Sequence, residues 1–326
     1  MKRFPGGNTD PMTAMLKENF EELYTGIVVL GKTFYLDPTN GSDTNDGSPS
    51  APVATLAAGY ALLRDGYNDA LVYIPGATAI ALSAGFEWKK NYAHFIGASA
   101  PVRLSPRCRI FLAAGTASQT YLFKVSGTGC DFSNILFFMG VADATAAHSV
   151  LVTGSRNHFR NCHIAGIGDA TMDVAGAGSL MIDGGSENVF EGGTIGLDTV
   201  TRTTSTAELL FDSAATRNEF RDVLFLTYQG AAGHALVEIA DAQGIDRVQR
   251  FVKCHFVADS LNRTVALTSV FKIPASINQG MIDLDAECHV SSWGSAAAWD
   301  SNSRGIISAA MVAPTSAGAG GISTHK

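Results

Sequence analysis

The chain has 326 residues, enough for one large domain or two small ones, and 46% of them are hydrophobic, which is ample for a core. Only 16% are charged and the net charge is −7, which argues against nucleic acid and anionic membranes as main partners, because both require clustered Lys and Arg. No apolar run approaches the roughly eighteen residues of a membrane span and no signal-like segment follows Lys2 and Arg3, so we expect synthesis and folding in a cytoplasm.

The first predicted element is an amphipathic helix over residues 10–24. Asp10 is a suitable N-cap and Pro11 a suitable first helical residue. An apolar stripe follows at helical spacing, formed by Met12, Met15, Leu16, Phe20 and Leu23. The string NTDPMTAMLKENF (8–20) resembles a short motif at the start of many phage fibre, spike and head-appendage proteins. This resemblance implies that the helix docks on another virion protein; packing against its own domain is the alternative.

One helix and several short strands are predicted before the regular part of the chain. Residues 55–63 (TLAAGYALL) favour a short helix that covers the open end of the domain. The stretches 70–76 and 92–97 read as short strands ended by Pro or Gly. Asp43–Gly47 faintly resembles a calcium loop but lacks its spacing, so we expect a turn there.

An internal repeat of about 30 residues dominates the rest of the sequence. Five segments align without gaps around a phenylalanine, and we expect these rings to form one internal column: Phe132, Phe159, Phe190, Phe220 and Phe251. The second position after each phenylalanine holds a residue predicted to make a sharp left-handed bend, and four of the five are types that tolerate this geometry: Asn134, Asn161, Gly192, Asp222 and Lys253.

Apolar residues flank each bend with the period of a strand. They alternate after the bend, as in Ile135 and Phe137, and a second β-rich run lies upstream of each phenylalanine, as in 122–125. Gly193 interrupts the alternation and is expected to leave room for a larger neighbour. Each repeat therefore supplies three short strands that cannot bury their faces alone, which predicts an all-β parallel solenoid whose last regular coil spans 281–290.

A family resemblance supports this fold. The strings YLDPTNGSDTNDG (35–47), PVATL (52–56) and VYIPG (72–76) look like the opening of the pectate-lyase-like β-helix superfamily, and the resemblance covers residues 34 to about 290. It implies a right-handed parallel β-helix. Members include polysaccharide lyases and hydrolases but also many phage tailspikes and non-catalytic virion proteins, so it fixes the fold better than the activity.

Three segments follow from these patterns. Residues 1–33 are predicted to be an N-terminal helix and anchor, 34–290 the β-helix, and 291–326 an Ala/Ser/Gly-rich tail held by a neighbouring subunit. Because β-helical proteins of phage particles usually resemble threefold spikes, we expect a homotrimer with other phage proteins as partners.

Polar residues of the repeat offer two candidate catalytic groups. Asp183 and Asp212 close equivalent strands and are expected about 5 Å apart, which suits a retaining glycosidase, although turn formation is the commoner role of such residues. A lyase would need an Arg or Lys base beside carboxylates on one face, and the residues that come nearest to this arrangement are Arg160, Arg221 and Asp222. His158 and Glu219 are expected to be outward and solvated.

Three Cys-His dipeptides invite a metal interpretation: Cys162-His163, Cys254-His255 and Cys288-His289. Adjacent strand residues point to opposite faces, so each cysteine is expected in the core as a free thiol and each histidine outside, without a metal site. We therefore expect a non-enzymatic phage virion structural protein without cofactors. The alternatives are a polysaccharide depolymerase and a non-catalytic fibre that binds a host glycan.

Overall fold

A computed structural model describes residues 31–145, 147–204, 206–259, 267–292, 297–299 and 307–309. The predicted N-terminal helix lies outside these residues, and so do its proposed docking side chains, Met12, Met15, Leu16, Phe20 and Leu23. The described chain winds through three sheets in which every pair of neighbouring named strands is parallel. The predicted parallel β-solenoid is thereby confirmed.

Sheet I has ten strands and carries the phenylalanine repeat. Its strands are β1 (Thr33–Leu36), β2 (Asp69–Tyr73), β5 (Ala93–Gly97), β8 (Asp131–Ser133), β11 (His158–Arg160), β14 (Val189–Glu191), β17 (Glu219–Arg221), β20 (Val248–Val252), β23 (Met281–Leu284) and β26 (Ile307–Ala309).

Sheet II precedes sheet I in each coil and has eight strands. They are β4 (Phe86–Trp88), β7 (Tyr121–Val125), β10 (His148–Val152), β13 (Gly178–Asp183), β16 (Ala207–Asp212), β19 (Ala235–Ile239), β22 (Ser269–Lys272) and β25 (Ala297–Trp299).

Sheet III follows sheet I, again with eight strands. They are β3 (Ile80–Leu82), β6 (Cys108–Leu112), β9 (Ile135–Phe138), β12 (His163–Ala165), β15 (Thr194–Arg202), β18 (Leu224–Gln229), β21 (His255–Asp259) and β24 (His289–Ser292). Strand pairing continues beyond residue 290, since β25 pairs with β22 and β26 pairs with β23.

The predicted short helix is present as α1 (Leu56–Leu62), and a 3-10 turn spans Ala170–Met172. The Thr55 hydroxyl caps α1 by accepting a hydrogen bond from the Ala58 amide at 3.2 Å. Asp43 in turn accepts bonds from the amides of Ala54 and Thr55 at 2.9 and 2.8 Å. This segment is therefore the predicted turn, and it positions the start of the helix.

The five repeat phenylalanines form a continuous column inside the solenoid, as predicted. Successive ring centroids lie 4.7–4.9 Å apart with interplanar angles of 7–18°. All five side chains are at most 2% exposed. Parallel strands set this spacing, because in-register residues of neighbouring strands repeat at about 4.8 Å.

All five predicted bend residues adopt the left-handed conformation, with φ between +48° and +66°. Lys253 does so without the short polar side chain that usually favours it. The conformation keeps the bend amide in the ladder between coils: Asn134 donates to the Arg160 carbonyl at 2.9 Å and Asp222 to that of Val252 at 2.8 Å. The bend thus turns the chain without breaking the ladder.

A buried ladder of amide side chains precedes sheet I and was not predicted from the sequence. It consists of Asn157, Asn188, Asn218 and Gln249, each at most 1% exposed. The Asn188 side-chain oxygen accepts from the Asn157 backbone amide at 3.0 Å, and Asn218 accepts in the same way from Asn188. The side chains therefore satisfy backbone amides in a turn that sheet pairing does not reach.

Gly193 has a different role from the one expected. Its φ is +70°, and a Cβ there would lie 2.0 Å from the Cys162 carbonyl oxygen, so the backbone approach requires glycine. No larger neighbour fills the missing side-chain volume. A void of about 10 Å³ remains, lined in part by Cys162, Phe190 and Val223.

A buried ion pair joins the ends of sheets III and II. The Arg202 Nε lies 3.1 Å from the Glu208 carboxylate, and both side chains are fully buried. Ser179 and Thr227 donate to the same carboxylate at 2.5 and 2.9 Å, while Arg202 also donates to backbone carbonyls, including that of Val200 at 2.8 Å. These bonds offset the cost of removing both charges from water.

Replacing Phe190 with Ala should lower the free energy of unfolding by about 3–5 kcal/mol, because the ring column would gain a cavity next to the existing void. Urea unfolding measures the change. Tyr67→Ala is the matched control, since that ring is 59% exposed, and we expect it to change stability by less than about 1 kcal/mol. Equal losses in the two variants would contradict the core column.

Candidate functional site

A long loop, residues 98–107, connects β5 of sheet I to β6 of sheet III in place of the one-residue bend. The loop lies over the outer surface of later coils. The Ser105 amide donates to His163 Nδ1 at 3.0 Å, and Thr194 donates to the Arg103 carbonyl at 3.1 Å. Arg103 also pairs with Asp222 at 2.7 Å. These bonds connect the loop to successive coils.

His163 attaches the loop to sheet III. It points away from the core, as predicted, but the expectation of an open position was wrong, since the loop leaves the side chain only 1% exposed. Its Nε2 faces the Gly196 carbonyl at 2.9 Å while Nδ1 accepts from Ser105. Burial lowers the pKa of His163, so the ring is neutral with its proton on Nε2.

The other two Cys-His dipeptides behave as predicted. Cys254 and Cys288 are buried, whereas His255 is exposed and His289 half-buried. Burial raises the pKa of Cys162 to about 12, consistent with an unreactive core thiol. All five cysteines are free and buried. Within the described ranges, no three His, Cys, Asp or Glu side chains come together as a potential metal site.

An open groove lies along the bends, and we call it the bend groove. It is lined by Arg160, Asn161, Glu191, Gly192, Arg221, Asp222, Val252 and Lys253. The structure therefore brings together the three residues singled out for a lyase, Arg160, Arg221 and Asp222. Because equivalent residues of successive coils line it, the groove presents polar groups at intervals of about 4.8 Å along the solenoid axis.

The cations of the bend groove are held by carboxylates. Arg221 lies 2.8 Å from Glu219, and this hydrogen bond raises the pKa of the guanidinium. Lys253 lies 2.9 Å from Glu287, which likewise raises the pKa of the ammonium. A general base needs the opposite shift, toward neutral pH. Arg221 and Lys253 are therefore built to donate hydrogen bonds rather than to accept a proton.

His158 joins two carboxylates on neighbouring strands of sheet I. Its Nδ1 lies 3.2 Å from Asp131 and its Nε2 3.0 Å from Glu191. The side chain is 27% exposed and that of Glu219 is 21% exposed. Both residues point outward, as expected, and are partly exposed, because contacts with neighbouring polar side chains cover part of each one.

Asp183 and Asp212 are in-register neighbours on β13 and β16, as predicted. Both are half-buried at the end of sheet II, and neither lines the bend groove. Asp212 accepts a hydrogen bond from the Ser213 amide at 2.7 Å, which is the turn-forming role weighed against catalysis. The two sets of candidate catalytic residues are thus on different faces.

No protein-family model matches the sequence, and no curated protein matches it. Among solved structures, the chain is similar to a rhamnogalacturonan lyase, with 15% identity, a TM-score of 0.53, and coverage of 78% of this chain and 67% of that chain. It is also similar to pectin methylesterase PemA from Erwinia chrysanthemi, with 13% identity, a TM-score of 0.50 and coverage of 81% of both chains.

At these identities the likeness shows the fold alone. The chain has the pectate-lyase-like right-handed parallel β-helix fold that the sequence predicted. None of the helices in the described part of the chain has the length and apolar character needed to cross a membrane.

Replacing His163 with Ala should release loop 98–107, so that trypsin can bind the loop backbone and cleave after Arg103 and Arg107. We expect cleavage after these residues to become about tenfold faster, because local opening then needs less free energy. His255→Ala is the matched control, since it occupies the same column of sheet III without a covering loop. Equal cleavage rates in the two variants would exclude His163 as the attachment point.

Acid should weaken the same attachment. The pKa of His163 is lowered by burial, so its stabilising effect is complete above the unfolded-state pKa of about 6.5 and is lost as the pH falls through the lower folded-state pKa. The protection factor of the Ser105 amide, measured by hydrogen exchange, should fall over this range. A factor that stays constant would contradict the assigned hydrogen bond.

Proposed function

We propose that this protein is a non-enzymatic structural protein of a bacteriophage particle, a β-helical appendage of the head or tail. The observation that carries the proposal is the resemblance of residues 8–20 to the start of phage fibre, spike and head-appendage proteins, placed ahead of a solenoid. The phenylalanine column and the amide ladder run through successive coils of that solenoid, and an elongated solenoid suits an appendage.

Sheet II offers a surface for assembly with further copies of the chain. Three consecutive residues of one outward column are aliphatic and half-buried: Leu151, Met181 and Leu210. Ion pairs continue the column at both ends, Lys124–Glu87 at 3.4 Å and Lys272–Glu238 at 2.7 Å. An apolar strip between charges of both signs can pack against its own copies. We assign this strip to a homotrimer contact.

Met181→Glu should disrupt the trimer by placing a charge in the middle of the apolar strip. Light scattering should give three chain masses for the wild-type protein and one for the variant. Val252→Glu is the control, because it adds the same charge on the outer face of sheet I. A wild-type monomer, or a variant that remains trimeric, would remove sheet II as the contact.

The predicted N-terminal helix is the proposed virion anchor. Leu16→Asp together with Phe20→Asp should prevent the full-length protein from joining particles, because burying each side chain contributes roughly 1.5–3 kcal/mol to docking. Glu21→Lys changes the charge on the opposite side of the predicted helix, outside residues 8–20, and should leave incorporation unchanged. Particle composition, measured by mass spectrometry, checks this, and incorporation of the double variant at full occupancy would move the anchor elsewhere.

A polysaccharide depolymerase is the second candidate, favoured by the fold-level likeness to a rhamnogalacturonan lyase. The purified protein would then shorten host capsule or lipopolysaccharide chains. Asp183→Asn or Asp212→Asn would abolish this activity if these acids act as a glycosidase pair. We expect no shortening of either polymer, measured by size-exclusion chromatography. Binding to host cells without shortening would favour the third candidate, a non-catalytic receptor-binding fibre.

A further inference from the structure

A second cleft lies on the other side of loop 98–107, on the outer face of sheet III. Its volume is about 380 Å³, within the range of small-molecule sites. Loop residues Ser105, Pro106 and Arg107 form one wall. The floor includes Arg109 and the apolar side chains of Leu136, Phe138 and Leu197.

Arg109 is fixed in this cleft by aromatic rings. Its guanidinium lies 4.1 Å from the centroid of Phe138 and 5.1 Å from that of Phe111. Phe138 can occupy its place because Gly140 and Gly168 lack side chains, since a Cβ at either would come within 2.6 Å of the ring. The guanidinium is thus held in one orientation.

The charge of Arg109 has no partner among the described residues. Nine of the eleven arginines in the described ranges pair with a carboxylate: Arg64, Arg103, Arg156, Arg160, Arg202, Arg217, Arg221, Arg247 and Arg250. The two exceptions, Arg107 and Arg109, line the same cleft. The described residues that form this cleft include neither Asp nor Glu.

The Arg109 Nε is also an orphan. It is buried and has no hydrogen-bond acceptor, although buried polar atoms are nearly always satisfied. Burial lowers the pKa of this guanidinium, but arginine remains charged at any physiological pH. The nearby His163 cannot supply an acceptor, because both ring nitrogens are engaged by Ser105 and Gly196.

We propose that this cleft binds the carboxylate group of a small ligand, with Arg109 as the principal contact and Arg107 at the rim. The two terminal nitrogens of the Arg109 guanidinium, unlike its buried Nε, are available to a ligand, and such a pair matches a carboxylate in two parallel hydrogen bonds. The apolar floor accommodates the ligand body. The carboxylate can come from an acidic sugar of a glycan or from a free organic acid. This inference goes beyond the proposed structural function and does not depend on it.

The test is a titration of the full-length protein followed by NMR of the arginine Nε–Hε groups. Arg109→Met and Arg109→Lys identify the Arg109 signal by its loss. We expect glucuronate or benzoate to shift that signal with a Kd of about 1 mM or tighter, whereas glucose, which lacks the carboxylate, should not. A stronger effect of glucuronate assigns the site to acidic sugars, and a stronger effect of benzoate assigns it to free organic acids.

Arg109→Met should weaken binding of the effective acid at least about tenfold, the loss expected for a charged hydrogen-bond pair; because this variant lacks the Arg109 signal, its affinity and that of the wild type are compared by the shifts of backbone amides in loop 98–107. Arg156→Met is the control, because that arginine is 70% exposed and pairs with Glu187 on another edge of the solenoid. The wild-type titration stands even if a variant misfolds. The proposal is overturned if neither acid shifts the signal, if glucose or inorganic phosphate does so equally well, or if the control loses as much affinity as Arg109→Met.

Discussion

The structure depends on hydrogen bonds that pass from one coil to the next along the solenoid axis. A one-residue left-handed bend preserves them where sheet I turns into sheet III, since the bend amide donates to a backbone carbonyl of the following coil or, at Lys253, to the Asp285 carboxylate of that coil. This explains why Asn134 and even Lys253 accept a conformation that is unfavourable for most residues. Without these bends, neighbouring coils would lose their common register, and the columns of identical side chains would not form.

The columns of in-register side chains then determine which polar groups are available at the surface. Inward columns fill with phenylalanine and aliphatic side chains, and outward columns bring equivalent residues of successive coils side by side. Charged residues in the outward columns mostly satisfy one another, as Lys272 does with Glu238. The exception is found where loop 98–107 interrupts the regular bend. That loop covers His163 and encloses Arg109 in a cleft without a carboxylate. The irregular loop thus leaves a cation without a carboxylate partner among the described residues.

The solenoid could be predicted from the sequence because each coil repeats the same residue types at the same positions. Phenylalanine spacing located the core column, and residue types two positions later located the bends. The same alignment held a third signal that was overlooked: Asn157, Asn188 and Asn218 each stand two residues before a repeat phenylalanine and form the buried ladder. An amide at one fixed position of three successive repeats would have predicted it.

The surface could not be predicted in the same way. The covering of His163 depends on a loop that begins some 60 residues earlier in the chain, and no periodic pattern links the two. The pairing of Asp183 with Asp212 was correct because register alone determines it. The Arg109 cleft depends on the position of loop 98–107, which is not part of the repeat. Only the three-dimensional structure therefore shows that the Arg109 guanidinium has no carboxylate partner among the described residues.

The buried Arg202–Glu208 pair has a consequence for how the coils find their places during folding. Successive coils are similar enough that a strand could pair one repeat too early or too late and still bury a phenylalanine. Arg202 and Glu208 are only six residues apart and would move together, but such a slip would take their carboxylate away from the Ser179 hydroxyl of the preceding coil and the Thr227 hydroxyl of the following one. A buried charged group that loses hydrogen-bond donors costs about 1–3 kcal/mol or more. The contacts around the ion pair therefore favour the correct pairing of this coil over pairing with a similar neighbouring repeat.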